Sequence, residues 1–178
     1  MQAARALLRA RPDVLTVIVP RHPQRGPEIE ALAMARSFSV IRREGRNLPS
    51  QDTQLYIADT LGELGLFYRA APFTFIGRSM VLHGGQNPLE PARLGTAILT
   101  GPHTQNFEEI FQVLLNAQGE GRVHSVDELS ALALKLITNP AEAVLLGSKA
   151  KQAAESLGGA LAATVELAET MLERHARA

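Results

Sequence analysis

A chain of 178 residues with no cysteine, no tryptophan, 4% aromatic content and no net formal charge is long enough to enclose one full hydrophobic core. The absence of thiols excludes disulfides, thiolate metal sites and a cysteine nucleophile. Balanced charge gives no overall field for nucleic acid or an anionic membrane, and so few aromatic rings argue against a stacking platform for single-stranded bases. The balance holds only in sum: Met1–Arg46 carries nine arginines against Asp13, Glu28, Glu30 and Glu44, which suits either an anionic ligand or a solvated basic face.

No apolar run approaches the ~20 residues of a membrane span, and Met1–Pro12 lacks the apolar core of a signal peptide. That opening is expected to be the end of a helix stopped by Pro12, as in a chain cut from something longer. Val14–Val19 is β-branched and apolar, the composition of a strand buried on both faces of a parallel sheet. It runs into Pro20-Arg21-His22-Pro23, so polar side chains stand just past its carboxyl end, where open α/β sheets bind their ligands. Arg21 can meet a phosphate there with a bidentate fork, or be an ordinary surface arginine between prolines.

Pro27–Arg36 has proline in its first turn and Ile29, Leu32 and Ala33 at helical spacing. Ser39–Arg42 is a short strand and Arg42–Arg46 a charged turn. Leu55–Ala58 is the next buried strand, with Asp59–Glu63 at its carboxyl end; Thr60 and Glu63 have capping-box spacing for a helix to Tyr68. That geometry also puts Gly62 and Glu63 on the ligand side of the sheet.

Phe73–Ile76 is a further strand, leading through Gly77-Arg78-Ser79 to Met80–Gly95. Gly84-Gly85 before a helix start is a weak signal for an anion loop: glycines allow close approach of backbone to ligand, and the first turn offers unpaired N–H groups. Asn87 and Glu90 have capping-box spacing with Pro88 at the first helical position. Pro91 disturbs that register, because at the fourth helical position it would remove the first intrahelical bond. With Pro91 as first helical residue, Glu90 precedes the helix and keeps a free carboxylate, suited to a vicinal diol such as a ribose.

Thr96–Gly101 is another strand. Asn106 and Glu109 repeat the capping spacing ahead of a helix to Asn116, and Gly121–His124 is expected to be the last strand. Ser125-Val-Asp-Glu128 caps a helix to Ile137, and helices over Pro140–Glu155 and Leu161–Arg174 flank Gly158-Gly159. Strands alternating with helices indicate right-handed βαβ units and an α/β fold, a Rossmann-like doubly wound parallel sheet with helices on both faces. The five histidines show no metal-binding spacing. His22, His83 and His103, each after a strand, are expected to be hydrogen-bonded loop residues, and no nucleophile elbow is present.

Three separated segments, Val19–Pro23, Asp59–Leu64 and Gly84–Ala92, with Gly101–Phe107 behind them, resemble the 3-deoxy-D-manno-octulosonic acid (Kdo) transferases of lipopolysaccharide synthesis in Gram-negative bacteria. The resemblance runs through nearly the whole chain. It implies the C-terminal, donor-binding half of a GT-B glycosyltransferase: residues 1–178 as one CMP-Kdo-binding domain, with 156–178 a helix returning toward an N-terminal domain. It further implies that Pro20 and Arg21 contact CMP, that Leu61, Gly62 and Glu63 form a second wall, and Asn87, Pro88, Leu89 and Glu90 a third. No metal and no cofactor are implied. The general base, the lipid A precursor site and the membrane-associating surface, at the cytoplasmic face of the inner membrane, are implied to lie in the other half. This chain then holds no catalytic residue, and it is expected to be soluble, to bind CMP without turning over, and not to bind nucleic acid. The pattern often has histidine where Gln86 stands and glycine where Arg78 stands. A GT-B domain for a UDP-sugar, or a non-catalytic α/β binding module, is the alternative.

Overall fold

The computed structural model describes residues 1–82 and 84–158; the expected strand-following His83 and the helix over Leu161–Arg174 lie outside them. The strands fall where β-branched and apolar runs placed them, and all pair in parallel. β1 (Thr16–Ile18), β2 (Val40–Arg42) and β3 (Leu55–Ile57) form one sheet in the order β1-β3-β2. Thr16 and Val40 both stand beside Leu55, and Ile18 beside Ile57. β4 (Phe73–Ile76) and β5 (Ala97–Thr100) form a second, with Phe73 beside Ala97 and Ile76 beside Thr100.

Period two along β5 explains why it is buried throughout. Ile98 enters one core with Ile76, Ala92, Phe111, Leu114, Ala150 and Ala154. Ala97 and Leu99 enter another with Leu136, Ala143 and Leu146. The first draws on α4 (Leu89–Arg93), α5 (Glu108–Gln118) and α7 (Pro140–Ser156), the second on α6 (Val126–Thr138) and α7, so helices cover both faces. On the first sheet, α1 (Gln2–Ala10) and α2 (Gly26–Met34) bury Ala4, Leu8, Ala33 and Phe38 against Leu55. α3 (Leu64–Ala70) joins β3 to β4.

Three expectations are corrected. β1 is not buried on both faces: Val17 is 37% exposed, because β1 and β4 flank an apolar cavity of about 460 Å³ that is also lined by α1, α3 and α6. Gly121–His124 is reduced to a single bridge, Thr100 to Arg122. The edge of β5 that a strand there would use is taken at Ile98 by the Gln118 side-chain amide, which accepts from Ile98 N at 2.8 Å and donates to its carbonyl at 2.9 Å. Finally, Asn106 does not cap α5; its amide donates to the Gly85 carbonyl at 3.3 Å. Ser125 does cap α6, accepting from Glu128 N at 3.1 Å, as the spacing predicts.

Candidate functional site

Parallel pairing of β1 with β3 carries the segments after both strands to one edge of the sheet, with Ala58 N donating to Ile18 O at 2.9 Å. Pro20 and Arg21 therefore emerge beside Asp59 and Thr60. Arg21 is exposed and, among the described residues, its guanidinium makes no hydrogen bond or ion pair. Three other arginines in this part of the chain are engaged: Arg25 with Glu28 at 3.0 Å, Arg42 with Asp59 at 2.8 Å and Arg43 with Glu63 at 2.5 Å. A bidentate donor left without an acid at a strand's carboxyl end is available to an external anion.

The second wall differs from the sequence expectation in how it is held. Glu63 is the residue before α3, yet its carboxylate does not cap the helix. It accepts instead from Arg43 Nε at 2.6 Å and Nη2 at 2.5 Å and from the Thr60 hydroxyl. Arg43 also donates to the Tyr56 hydroxyl at 3.0 Å, which donates to the Asn47 carbonyl. These bonds hold the Glu63 carboxyl at a pKa of about 2. The carboxylate is thus saturated within the protein. What the turn presents outward is its backbone at Gly62, with φ +82°, and the Leu61 side chain, 83% exposed.

The Glu63 clamp has a consequence for pH. Pairing depresses the folded pKa to about 2 against an ordinary 4.5, so its stabilisation is full above pH 4.5 and fades as the pH falls towards 2. Urea midpoints measured at a series of pH values should decline across that window, and Glu63→Gln should lose stability at neutral pH while flattening that part of the decline. An unchanged slope in the variant would show that other carboxylates carry it.

In the third wall Pro91 occupies neither register expected from sequence. α4 starts at Leu89, making Pro91 its third residue, where no intrahelical donor is needed; the first bond runs from Ala92 N to Pro88 O at 3.2 Å. Asn87 Oδ1 accepts from Leu89 N at 2.9 Å. Glu90 lies inside the first turn, exposed, and its carboxylate has no hydrogen-bond or ion-pair partner among the described residues. The free carboxylate stands, for a different reason than the one expected. Glu90 Oε1 lies 3.9 Å from where a Cβ on Gly65 of α3 would be, which brings the second and third walls together.

Gly84-Gly85 does not work as an open anion loop. A Cβ at Gly84 would stand 1.7 Å from Arg78 O, and one at Gly85 3.1 Å from Thr104 Cα. The close approach these glycines permit is to the protein's own backbone. Arg78, with φ +64°, adopts the conformation glycine favours, and its carbonyl accepts from Gly85 N at 3.2 Å. Ser79, fully buried, donates to Ile76 O at 2.6 Å and accepts from Gly101 N at 2.7 Å, pinning the loop to the end of β5. Helix α4 offers few amides, since Leu89 N is used by Asn87 and Pro91 has none. An anion at this edge would therefore rely on side chains such as Arg21 more than on the α4 amides.

His22 and His103 sit in turns, but their rings make no hydrogen bond among the described residues; the ties run through backbone, Arg25 N to His22 O at 3.0 Å and His103 N to Ser79 O at 2.9 Å. Among the described residues no group of three or more His, Asp or Glu could hold a metal ion, and no single helix is long and apolar enough to cross a membrane. A cavity of about 720 Å³ between α5 and α6 is lined by none of the residues of the three walls. The strand-end site is an open edge. Sequence reasoning missed the Arg42–Asp59 and Arg43–Glu63 pairs, whose only signal is that two arginines and two acids follow strands that turn out to be neighbours.

Parallel strands with helices on both faces, and the polar groups gathered past their carboxyl ends, define a Rossmann-like α/β domain. No protein-family model matches the chain. It is 37% identical over 176 residues to the 3-deoxy-D-manno-octulosonic acid transferase of Haemophilus influenzae, an alignment covering 98% of this chain and 41% of that protein. The Bordetella pertussis enzyme of the same name is 32% identical over 173 residues, 97% of this chain and 40% of the relative. A probable mitochondrial counterpart from Arabidopsis thaliana is 34% identical over 138 residues. Among solved structures, the C-terminal CMP-Kdo binding domain of WaaA from Acinetobacter baumannii superposes with a TM-score of 0.79 at 26% identity, over 85% of this chain and 79% of that one. The chain is a homologue of the Kdo transferases over nearly its whole length, and it spans about two-fifths of the length of the bacterial relatives.

Proposed function

We propose that this chain is the donor-binding domain of a Kdo transferase, which in the complete protein moves Kdo from CMP-Kdo to a lipid A precursor at the cytoplasmic face of the inner membrane. The observation that carries this reading is the structural likeness to a domain described as CMP-Kdo binding, together with an unpaired arginine on the matching kind of edge. In this reading Pro20 and Arg21 hold the phosphate, Leu61, Gly62 and Glu63 shape the second wall, and Asn87, Pro88, Leu89 and Glu90 the third. Glu90 accepts the ribose hydroxyls. Glu63 acts through the turn it fixes, because its own carboxylate is occupied by Arg43.

Arg21 stabilises CMP as it leaves, since negative charge on the phosphate grows as the bond to Kdo breaks. The general base, the acceptor site and the membrane-associating surface belong to the other domain, so this chain binds nucleotide without turning over. Titration of the labelled chain with CMP should shift the amides near Arg21, Gly62 and Asn87, and UDP should bind more weakly. No shift at millimolar CMP would overturn the reading, and tighter binding of UDP would reassign the donor to a UDP-sugar.

A further inference from the structure

The carboxylate of Asp59 is 3% exposed and receives Arg42 Nε at 2.8 Å. Arg42 reaches Glu44 at 2.9 Å and Glu30 of α2 at 3.6 Å as well. The other oxygen, Oδ1, is buried with no hydrogen-bond partner among the described residues. A buried ion pair that leaves an oxygen unsatisfied is a poor source of stability, since apolar residues of similar volume commonly do as well. What such a pair supplies is fixed geometry, and Asp59 fixes something specific. Gly26, the first residue of α2, rests directly on it: a Cβ there would be 2.1 Å from Oδ2, 2.8 Å from Cγ and 3.0 Å from the Asp59 Cβ.

Gly26 ends the turn that begins at Arg21. That turn is short and stiff. Pro20 and Pro23 restrict its backbone, Pro23–Arg25 form one turn of 3-10 helix, and Arg25 N donates to His22 O at 3.0 Å. Its near end is held through β1, whose Ile18 carbonyl accepts from Ala58 N at 2.9 Å; its far end passes into α2, which is anchored on the sheet by Ala33 and by the Glu30–Arg42 pair, and meets Asp59 directly at Gly26. From these contacts we infer that Asp59, braced by Arg42, is a positioning residue that sets the Arg21 turn at the height the donor phosphate requires. The inference rests on the CMP reading above.

The test compares CMP with cytidine, which lacks the phosphate, by following amide shifts of the 178-residue chain. Asp59→Asn should weaken CMP about tenfold while changing cytidine less than about twofold, and should have no further effect on CMP when Arg21 is already alanine. Gly26→Ala, which keeps every charge but drives a methyl group into the carboxylate, should show the same selectivity and serves as the second variant if Asp59→Asn does not fold. Equal losses for CMP and cytidine, or unchanged CMP affinity in a folded variant, would overturn the positioning role alone. A wild-type chain that binds no CMP would remove the donor reading and this inference with it.

Discussion

Arg21→Ala should weaken CMP binding by about 10- to 100-fold, the loss that follows from removing a charged, bidentate hydrogen bond to phosphate. Folding should be almost untouched. The side chain is exposed and has no partner among the described residues, and substitutions at such positions usually change stability by no more than about 0.5 kcal/mol. Arg21→Lys should recover part of the loss, because it restores the charge but not the planar fork. Calorimetric titration with CMP, run beside a thermal melt of each variant, separates the two effects. Retained CMP affinity in Arg21→Ala would mean that the phosphate is held by another group, and the candidates at this edge are few: Arg42 and Arg43 are already committed to Asp59 and Glu63.

Why the place of Arg21 past the end of β1 could be read from the sequence and the Arg42–Asp59 pair could not is a matter of range. A strand of β-branched residues, a proline stop and an arginine directly after it are local facts, and the alternation of strands with helices supplies the rest: polar groups past parallel strands share an edge. The pairing of Arg42 with Asp59 is not local. It needs β2 beside β3 in one register, Arg42 opposite Ile57, and that register follows from packing on α1 and α2. The same limit explains the capping boxes. Ser125 and Glu128 met no competitor and capped α6. Thr60 and Glu63 had equal spacing, but Arg43 from a neighbouring strand end claimed the carboxylate. A spacing rule counts only the residues within its own turn, so a distant arginine of higher affinity overrides it. Gly84-Gly85 failed as a phosphate loop for a related reason: the sequence shows that side chains are absent, and only the structure shows what fills the space.

That space sets the largest stability effect expected here. A methyl group at Gly84 would meet Arg78 O at 1.7 Å, Val81 O at 2.7 Å and Arg78 C at 2.8 Å, all backbone atoms. No side-chain rotation can relieve contacts of that kind, so the Arg78–Gly85 turn must shift as a body. It is pinned at one side by the Ser79 hydroxyl between Ile76 O and Gly101 N and at the other by Asn106 on Gly85 O. Gly84→Ala should therefore cost about 2–3 kcal/mol, in the range of overpacking a fixed core, and lower Tm by roughly 5–10 °C for a chain of this size. Gly62→Ala provides the contrast. Its φ of +82° carries strain for any side chain, but nothing lies within 4 Å, so its cost should be only about 1 kcal/mol. Equal melting temperatures for the two variants would show that the Gly84 turn yields easily; it could not then hold Asn87 and Glu90 in place for a ligand.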